Sequence, residues 1–91
     1  MVGHVFLHNG GVRRVKEYID TGALGRVYYV AMVRTNLGPI RSDVNAAWDL
    51  AAHDISIVNY WLDGQPRCAS ATGGTWINAG IEDAVFATLR Y

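Results

Sequence analysis

The feature that most constrains this chain is a change of hydrophobic period along its length. Apolar residues recur at helical spacing in residues 12–19 and again in residues 46–62. β-Branched and aromatic side chains concentrate before, between and after these two stretches, as is typical of strands. The sequence therefore predicts an α+β fold of order β-α-β-α-β-β, with a mainly antiparallel sheet and two helices packed on one of its faces.

Turn residues delimit the first predicted strand and the first predicted helix. Residues 2–7 (VGHVFL) predict a strand, and residues 9–11 (NGG) predict the turn that closes it. Charged side chains separate the apolar ones in residues 12–19, which predicts an amphipathic helix of about three turns. Gly22 is the expected stop, because glycine adopts the left-handed conformation at low cost.

The longest strand and the second helix are predicted in the middle of the chain. Residues 25–37 (GRVYYVAMVRTNL) predict a central strand, because both alternating sets of side chains are apolar. A polar loop over residues 38–45 follows. The second helix is expected to begin at about Ala46, to end at Leu62 and to be largely buried.

A hairpin is predicted at the end of the chain. Residues 67–77 and 82–91 predict its two strands, with a bulge or a close backbone approach at Gly73 and Gly74. The strand pattern still continues at Tyr91, so we expect a truncated version of a larger domain. At 91 residues the chain is expected to form a single domain over residues 1–91.

Composition argues against several kinds of partner. Eight basic side chains balance eight acidic ones and no segment concentrates lysine or arginine, so nucleic acid is not an expected ligand. No apolar run approaches the roughly 18 residues that cross a bilayer, so no membrane association is expected. The single cysteine, Cys68, cannot form an internal disulfide, which fits a reducing compartment, and we expect a cytoplasmic protein.

The most informative pair of residues is Asp49 and His53, which stand four apart in the second predicted helix. Residues at this spacing share one helix face, so the carboxylate can orient the imidazole. A histidine held in this way is a suitable general acid or base near neutral pH. An ordinary helix, in which Asp49 stabilises the N-terminal end and His53 has no chemical role, explains the spacing equally well.

Polar residues precede this pair. Four of them, Arg34, Asn36, Arg41 and Asn45, can donate hydrogen bonds to a carboxylate or to the hydroxyl groups of a sugar. A solvated loop with a few ion pairs explains these residues equally well. The histidines and carboxylates show no metal-ligand spacing, so no metal site is expected. No Gly-x-Gly-x-x-Gly motif lies between a predicted strand and helix, so no nicotinamide cofactor is expected on this chain alone. The three tryptophans are expected in a core or an interface.

Several segments resemble the C-terminal domain of the glucose-fructose oxidoreductase, inositol dehydrogenase and rhizopine-catabolism (Gfo/Idh/MocA) family. The start of that domain is similar to residues 3–9 (GHVFLHN), 12–22 (VRRVKEYIDTG) and 24–30 (LGRVYYV). The branch that acts on nucleotide-linked amino sugars is similar to residues 34–38 (RTNLG), 41–45 (RSDVN) and 48–57 (WDLAAHDISI). The chain departs from many relatives at Gly10, where they have proline.

The resemblance implies roles for the site residues. In that family a Rossmann domain binds NAD or NADP and supplies a catalytic lysine, which acts with an aspartate and a histidine of the C-terminal domain. Asp49 would match the orienting aspartate and His53 the acid/base histidine. The 91 residues contain neither the cofactor domain nor that lysine, so we expect a detached substrate-binding-type domain that is inactive alone and holds a small polyhydroxylated ligand.

Two further interpretations stay open. The chain is either one half of an oxidoreductase that a separate cofactor-binding chain completes, or a purely structural self-associating module. In each case we expect a homo-oligomer, most simply a dimer through the sheet with exchanged elements allowed, because two helices cover only one face of an apolar sheet.

Overall fold

The computed structural model describes residues 3–36, 38, 41–77 and 79–91. The chain divides into two compact units. We call Met1–Met32 with His53–Gln65 the helical unit, and Val33–Ala52 with Pro66–Tyr91 the hairpin unit. The prediction of a single domain over residues 1–91 stays a prediction.

The described elements confirm the α+β class, with two α-helices and a two-stranded antiparallel sheet. They follow one another as a 3₁₀-helix Val5–His8, helix α1 Gly10–Asp20, a π-helical segment Ala47–Ala51, helix α2 Ala52–Leu62, strand β1 Cys68–Gly74 and strand β2 Ala84–Arg90. Both predicted helices and the predicted hairpin are therefore present.

Helix α1 contains the whole of the predicted helix 12–19 and begins two residues earlier, at Gly10. The side chain of Asn9 accepts hydrogen bonds from the backbone N–H groups of Gly11 at 2.8 Å and Val12 at 3.3 Å, which satisfies two donors of the first turn. After the helix, Gly22 has a φ of 76°, the left-handed conformation that glycine adopts without steric cost. The predicted stop is confirmed, whereas the turn predicted over residues 9–11 is wrong, because Gly10 and Gly11 already belong to the helix.

The first predicted strand is wrong. Its described part contains the 3₁₀-helix Val5–His8, in which the backbone N–H of Leu7 donates to His4 at 3.2 Å. The backbone N–H of Asn9 also donates to Phe6, at 3.0 Å. Local turn bonds thus satisfy donors that a sheet would otherwise pair. Val2, at the start of this prediction, lies outside the described residues.

The long central strand is also wrong over its described part, because residues 25–36 contain neither helix nor strand. Valine and tyrosine favour a strand only where a neighbouring strand can pair with it. In the described chain, β1 and β2 pair with each other. Leu37, the end of the prediction, lies outside the described residues.

The hairpin has an uninterrupted register, from Cys68 opposite Arg90 to Gly74 opposite Ala84. Of the two predicted possibilities for the paired glycines, close approach is therefore correct and a bulge is wrong. A Cβ on Gly73 would lie 3.0 Å from the Ala84 carbonyl oxygen, and one on Gly74 would overlap the ring of Trp76.

The core of the helical unit lies on α2. Ile57 is 4% exposed, and Ser56 and Val58 are also buried. The apolar stripe predicted for the second helix is buried only in part, because Ile55 and Trp48 are exposed.

Two side chains link α1 to the end of α2. The Lys16 ammonium, which is buried, donates to the Trp61 carbonyl at 3.3 Å and pairs with Asp20 and Asp63. The Trp61 indole N–H donates to the Val12 carbonyl at 2.9 Å. Sequence periodicity predicts the two helices, whereas these contacts determine how they pack.

Candidate functional site

Arg41 is the organising residue of the polar loop before the second helix. Its Nε and Nη2 atoms donate to the two carboxylate oxygens of Asp43 at 3.0 and 2.7 Å, and its Nη1 donates to Asp49 at 2.9 Å. The planar guanidinium suits this forked geometry, which a lysine could not reproduce. The structure thus brings together two residues of the predicted site, Arg41 and Asp49.

These contacts change the proton affinities of the loop. Hydrogen bonding and charge attraction from Asp43, with a smaller contribution from Asp49, raise the pKa of Arg41. The hydrogen bond from Arg41 lowers the pKa of the Asp43 carboxyl, and backbone hydrogen bonds lower it further. Both groups therefore stay ionised over the physiological range.

Asp49 lies in the π-helical segment Ala47–Ala51. Its backbone N–H donates to the Asn45 carbonyl at 3.0 Å, and its side chain is half-buried. Short π-helical segments are rare and occur frequently at functional sites. The local backbone and Arg41 together hold the carboxylate in one orientation.

His53 belongs to the helical unit, whereas Asp49 belongs to the hairpin unit. The His53 ring lies edge-on to Phe6, with centroids 4.9 Å apart and an interplanar angle of 64°. Its carbonyl accepts a hydrogen bond from the Ser56 hydroxyl at 2.7 Å. The pairing of the Asp49 carboxylate with the His53 imidazole stays a prediction.

Asn45 connects the start of the second helix with the segment before β2. Its side-chain oxygen accepts from the Trp48 backbone N–H at 3.0 Å, and its side-chain nitrogen donates to Glu82 at 3.4 Å. The backbone N–H of Ala46 donates to the Glu82 carbonyl at 2.8 Å. One asparagine therefore positions both Trp48 and Glu82.

A cavity of about 370 Å³ opens at this junction, within the hairpin unit. It is lined by Asp43, Val44, Asn45, Trp48, Gly80, Ile81 and Glu82. Trp48 is 77% exposed, so of its two expected locations the core does not apply within this chain, and the interface stays a prediction. Neither Trp48 nor Glu82 is among the predicted site residues, and local spacing carries no signal for a contact that spans 37 positions.

Two other predicted ligand-binding residues lie elsewhere in the hairpin unit. Arg34 is half-buried and Asn36 is exposed, both within the irregular segment, and neither lines the cavity. The Asn36 amide lies beside Gly38, 3.0 Å from the position that a Cβ on that glycine would occupy. Of the four predicted ligand-binding residues, Asn45 lines the cavity. Arg41 is connected to it through its partner Asp43, which also lines the cavity.

Within the described ranges, no group of three or more histidine, cysteine, aspartate or glutamate side chains is arranged to hold a metal ion. A search of the same residues found no helix with the length and apolar character needed to cross a membrane.

Comparison with known proteins identifies one relationship. Residues 12–91 match the model of a protein family described as GFO/IDH/MocA C-terminal domain. No curated protein and no solved structure matches the chain. The family match covers well over half of the sequence and includes Arg41, Asp49 and His53.

Proposed function

Because the chain belongs to the GFO/IDH/MocA C-terminal domain family of oxidoreductases, we propose that it is the substrate-binding, self-associating part of an NAD(P)-dependent sugar or sugar-nucleotide oxidoreductase. The family match over residues 12–91 is the observation that carries this proposal. The protein is cytoplasmic in this proposal, and its 91 residues do not catalyse the reaction alone.

In this proposal the 91 residues do not hold the dinucleotide cofactor, and the start of helix α1 supports this. Helix α1 begins with two glycines, but the side chain of Asn9 already accepts hydrogen bonds from Gly11 and Val12. Those backbone donors are the ones that a pyrophosphate would need at a helix N-terminus. A bound nicotinamide supplies hydride chemistry in this family, so another polypeptide region must hold it.

Asp49 and His53 are the proposed catalytic residues. Oxidation of a sugar hydroxyl requires a base that removes the hydroxyl proton, and a neutral imidazole has a suitable proton affinity. The hydrogen bond from Arg41 Nη1 supports the role of Asp49, because it orients the carboxylate while the fork to Asp43 fixes the guanidinium. The carboxylates of Asp43 and Asp49 both bind the Arg41 guanidinium, so Arg41 contributes by positioning Asp49. Arg34, Asn36 and Asn45 supply hydrogen bonds to the substrate.

Self-association is the second part of the proposal. In the irregular segment, Tyr28 is 86% and Val33 is 90% exposed, and Phe86 on β2 is exposed as well. Apolar groups of this size gain free energy when they leave water. In the assembled dimer, these exposed apolar side chains are buried between the two copies, which associate through the sheet or by exchange of elements.

Isothermal titration of the 91-residue chain tests the binding function. UDP-N-acetylglucosamine is expected to bind, and NAD and NADP are not. An Arg41→Lys variant keeps the charge but loses the fork, so it is expected to weaken sugar-nucleotide binding at least threefold. Micromolar binding of either nicotinamide cofactor would contradict the assignment, as would the failure of every sugar and sugar nucleotide to bind.

Light scattering at micromolar concentration tests association. The expected mass is at least twice the 10.0 kDa of one chain. A Tyr28→Ser, Val33→Ser double variant is expected to shift the population toward monomer, whereas Tyr18→Ser on α1 serves as the control. A wild-type protein that stays at 10.0 kDa would refute self-association.

A further inference from the structure

Trp48 is exposed at a position where exposure has no structural benefit. The Asn45 side chain accepts a hydrogen bond from its backbone N–H, and the indole forms part of the cavity wall. An indole left in water forgoes the free energy of burial, so a large exposed aromatic ring in a concave site is typical of a ligand contact. Trp76 is 74% exposed as well, but its ring lies over Gly74 and outside the cavity.

The charged part of the cavity lining is acidic. Among its lining residues, the two with charged side chains are Asp43 and Glu82. The Asp43 carboxylate is already engaged by the fork of Arg41, whereas Glu82 is oriented by a hydrogen bond from Asn45. A carboxylate has acceptor capacity for more than one donor, so Glu82 can accept further hydrogen bonds from hydroxyl groups.

We infer that this cavity is a subsite for one polyhydroxylated ring without negative charge, in which the ring stacks on the Trp48 indole and its hydroxyls donate to Glu82. The inference rests on the proposed function and names the part of the ligand that this cavity takes. The weakly polarised C–H groups of a sugar ring face the electron-rich indole, and the hydroxyls around its rim reach the carboxylate. A volume of about 370 Å³ lies at the small end of the range for ligand sites, which suits one sugar ring.

The charge of the lining determines selectivity. An anionic group such as a phosphate or a sugar carboxylate is repelled by Glu82, and a protonated amine is attracted by both Glu82 and the indole face. A phosphorylated or nucleotide-linked sugar would therefore place its ring in this cavity and its phosphates outside.

The indole N–H resonances of the ¹⁵N-labelled chain report on this site. The sequence has three tryptophans, and a Trp48→Phe variant assigns the resonance of Trp48. Titration with N-acetylglucosamine is expected to shift that resonance and to leave those of Trp61 and Trp76 in place. Trp48→Ala is expected to weaken binding at least tenfold, whereas the matched control Trp76→Ala stays within twofold of wild type. Far-UV circular dichroism checks that both variants fold, and Trp48→Phe retains partial binding because it keeps an aromatic face.

A charge series tests the acidic lining. Glucosamine is expected to bind most tightly, glucose less tightly and glucuronate at least tenfold more weakly than glucosamine. Glu82→Gln is expected to reduce this discrimination to less than threefold. Equal binding of glucosamine and glucuronate by the wild type would overturn the inference. So would sugar binding that leaves the Trp48 resonance unmoved, although the proposed function would then stand. If no sugar or sugar nucleotide binds at all, both fail.

Discussion

The helical unit and the hairpin unit are stabilised by different interactions. Side-chain contacts join distant parts of the helical unit, where Lys16 and Trp61 link α1 to the end of α2, and Ile57 of α2 is buried. The hairpin unit is held mainly by the backbone ladder between β1 and β2, and in β1 only Gly74 is even partly buried. A two-stranded hairpin is marginally stable in water by itself. We conclude that side-chain contacts between distant residues contribute more to the stability of the helical unit than to that of the hairpin unit.

Paired isoleucine substitutions provide the largest test of this difference. Ile57, at 4% exposure, and Ile77, at 57%, belong to different units. Ile57→Ala is expected to reduce the free energy of unfolding by about 3 kcal/mol, because a buried side chain leaves a cavity. Ile77→Ala is expected to change it by less than about 0.5 kcal/mol. Urea unfolding measures both, and equal losses would show that the two units do not differ in this way.

The two asparagines that accept backbone hydrogen bonds provide the next test. Asn9→Ala and Asn45→Ala each remove such an acceptor, and each is expected to lower stability by about 1 kcal/mol. Aspartate keeps the acceptor, so Asn9→Asp should restore stability. Asn45→Asp should not, because it loses the donor to Glu82 and places two carboxylates side by side. Full recovery by Asn45→Asp would mean that the contact with Glu82 is unimportant.

A single hydrogen bond of the helical unit is the subject of a third prediction. Trp61→Phe removes the indole N–H that donates to Val12 while it keeps an aromatic ring, and the expected loss is about 1 kcal/mol. Trp76→Phe, at an exposed position of the hairpin unit, is the control and should change stability by less than about 0.5 kcal/mol. Thermal unfolding compares the two variants, and similar effects would contradict a special role for Trp61.

The smallest expected effects concern the pH dependence of stability, which differs between the two units. The hydrogen bond to Asp63, with a further contribution from Asp20, raises the pKa of Lys16 in the folded helical unit. Its contribution is therefore complete below the ordinary lysine pKa of about 10.4 and is lost as pH rises through the higher folded pKa. Urea midpoints measured at alkaline pH should fall in wild type more than in Lys16→Met. Parallel curves would contradict this prediction.

At acid pH the hairpin unit is expected to lose stability as Asp43 is protonated. Arg41 lowers the pKa of Asp43 in the folded protein. That contribution is complete above the ordinary aspartate pKa of about 3.9 and is lost as pH falls through the lower folded pKa. Asp43→Asn should flatten this part of the stability curve relative to wild type. An acid transition that Asp43→Asn does not alter would show that the ion pair with Arg41 adds nothing measurable.

Local sequence signals predict the elements that satisfy their own backbone groups. Helix α1 has an apolar period, an asparagine that caps its start and a glycine after its end, and each acts within a few residues. The hairpin is predicted for a similar reason, because its two strands are neighbours in sequence. The two wrong strands lack such a partner nearby. Residues 25–36 have strand-forming side chains, but a strand exists only when another strand accepts its hydrogen bonds.

The candidate site also contains contacts between residues that are close in sequence and contacts between residues that are distant in sequence. Arg41, Asp43 and Asp49 lie within nine positions of one another, so their contacts are among the ion pairs that a polar loop can form locally. The role of Glu82 depends on a contact with Asn45 across 37 positions, and no spacing rule reaches that far. The exposure of Trp48 also depends on distant residues. Composition predicts only that a tryptophan lies in a core or an interface, whereas the residues around Trp48 in the folded chain determine where its indole lies.

The sequence by itself determined the helices, the stop after α1, the hairpin and the family, because periodicity and short motifs act over one or two turns of chain. Only the tertiary structure decided that Lys16 lies buried between carboxylates and that Asn45 places Trp48 beside Glu82. These arrangements depend on which distant groups come within hydrogen-bonding distance after folding. Directional contacts of this kind are short-ranged in space but unrelated to distance along the chain, so no local pattern encodes them.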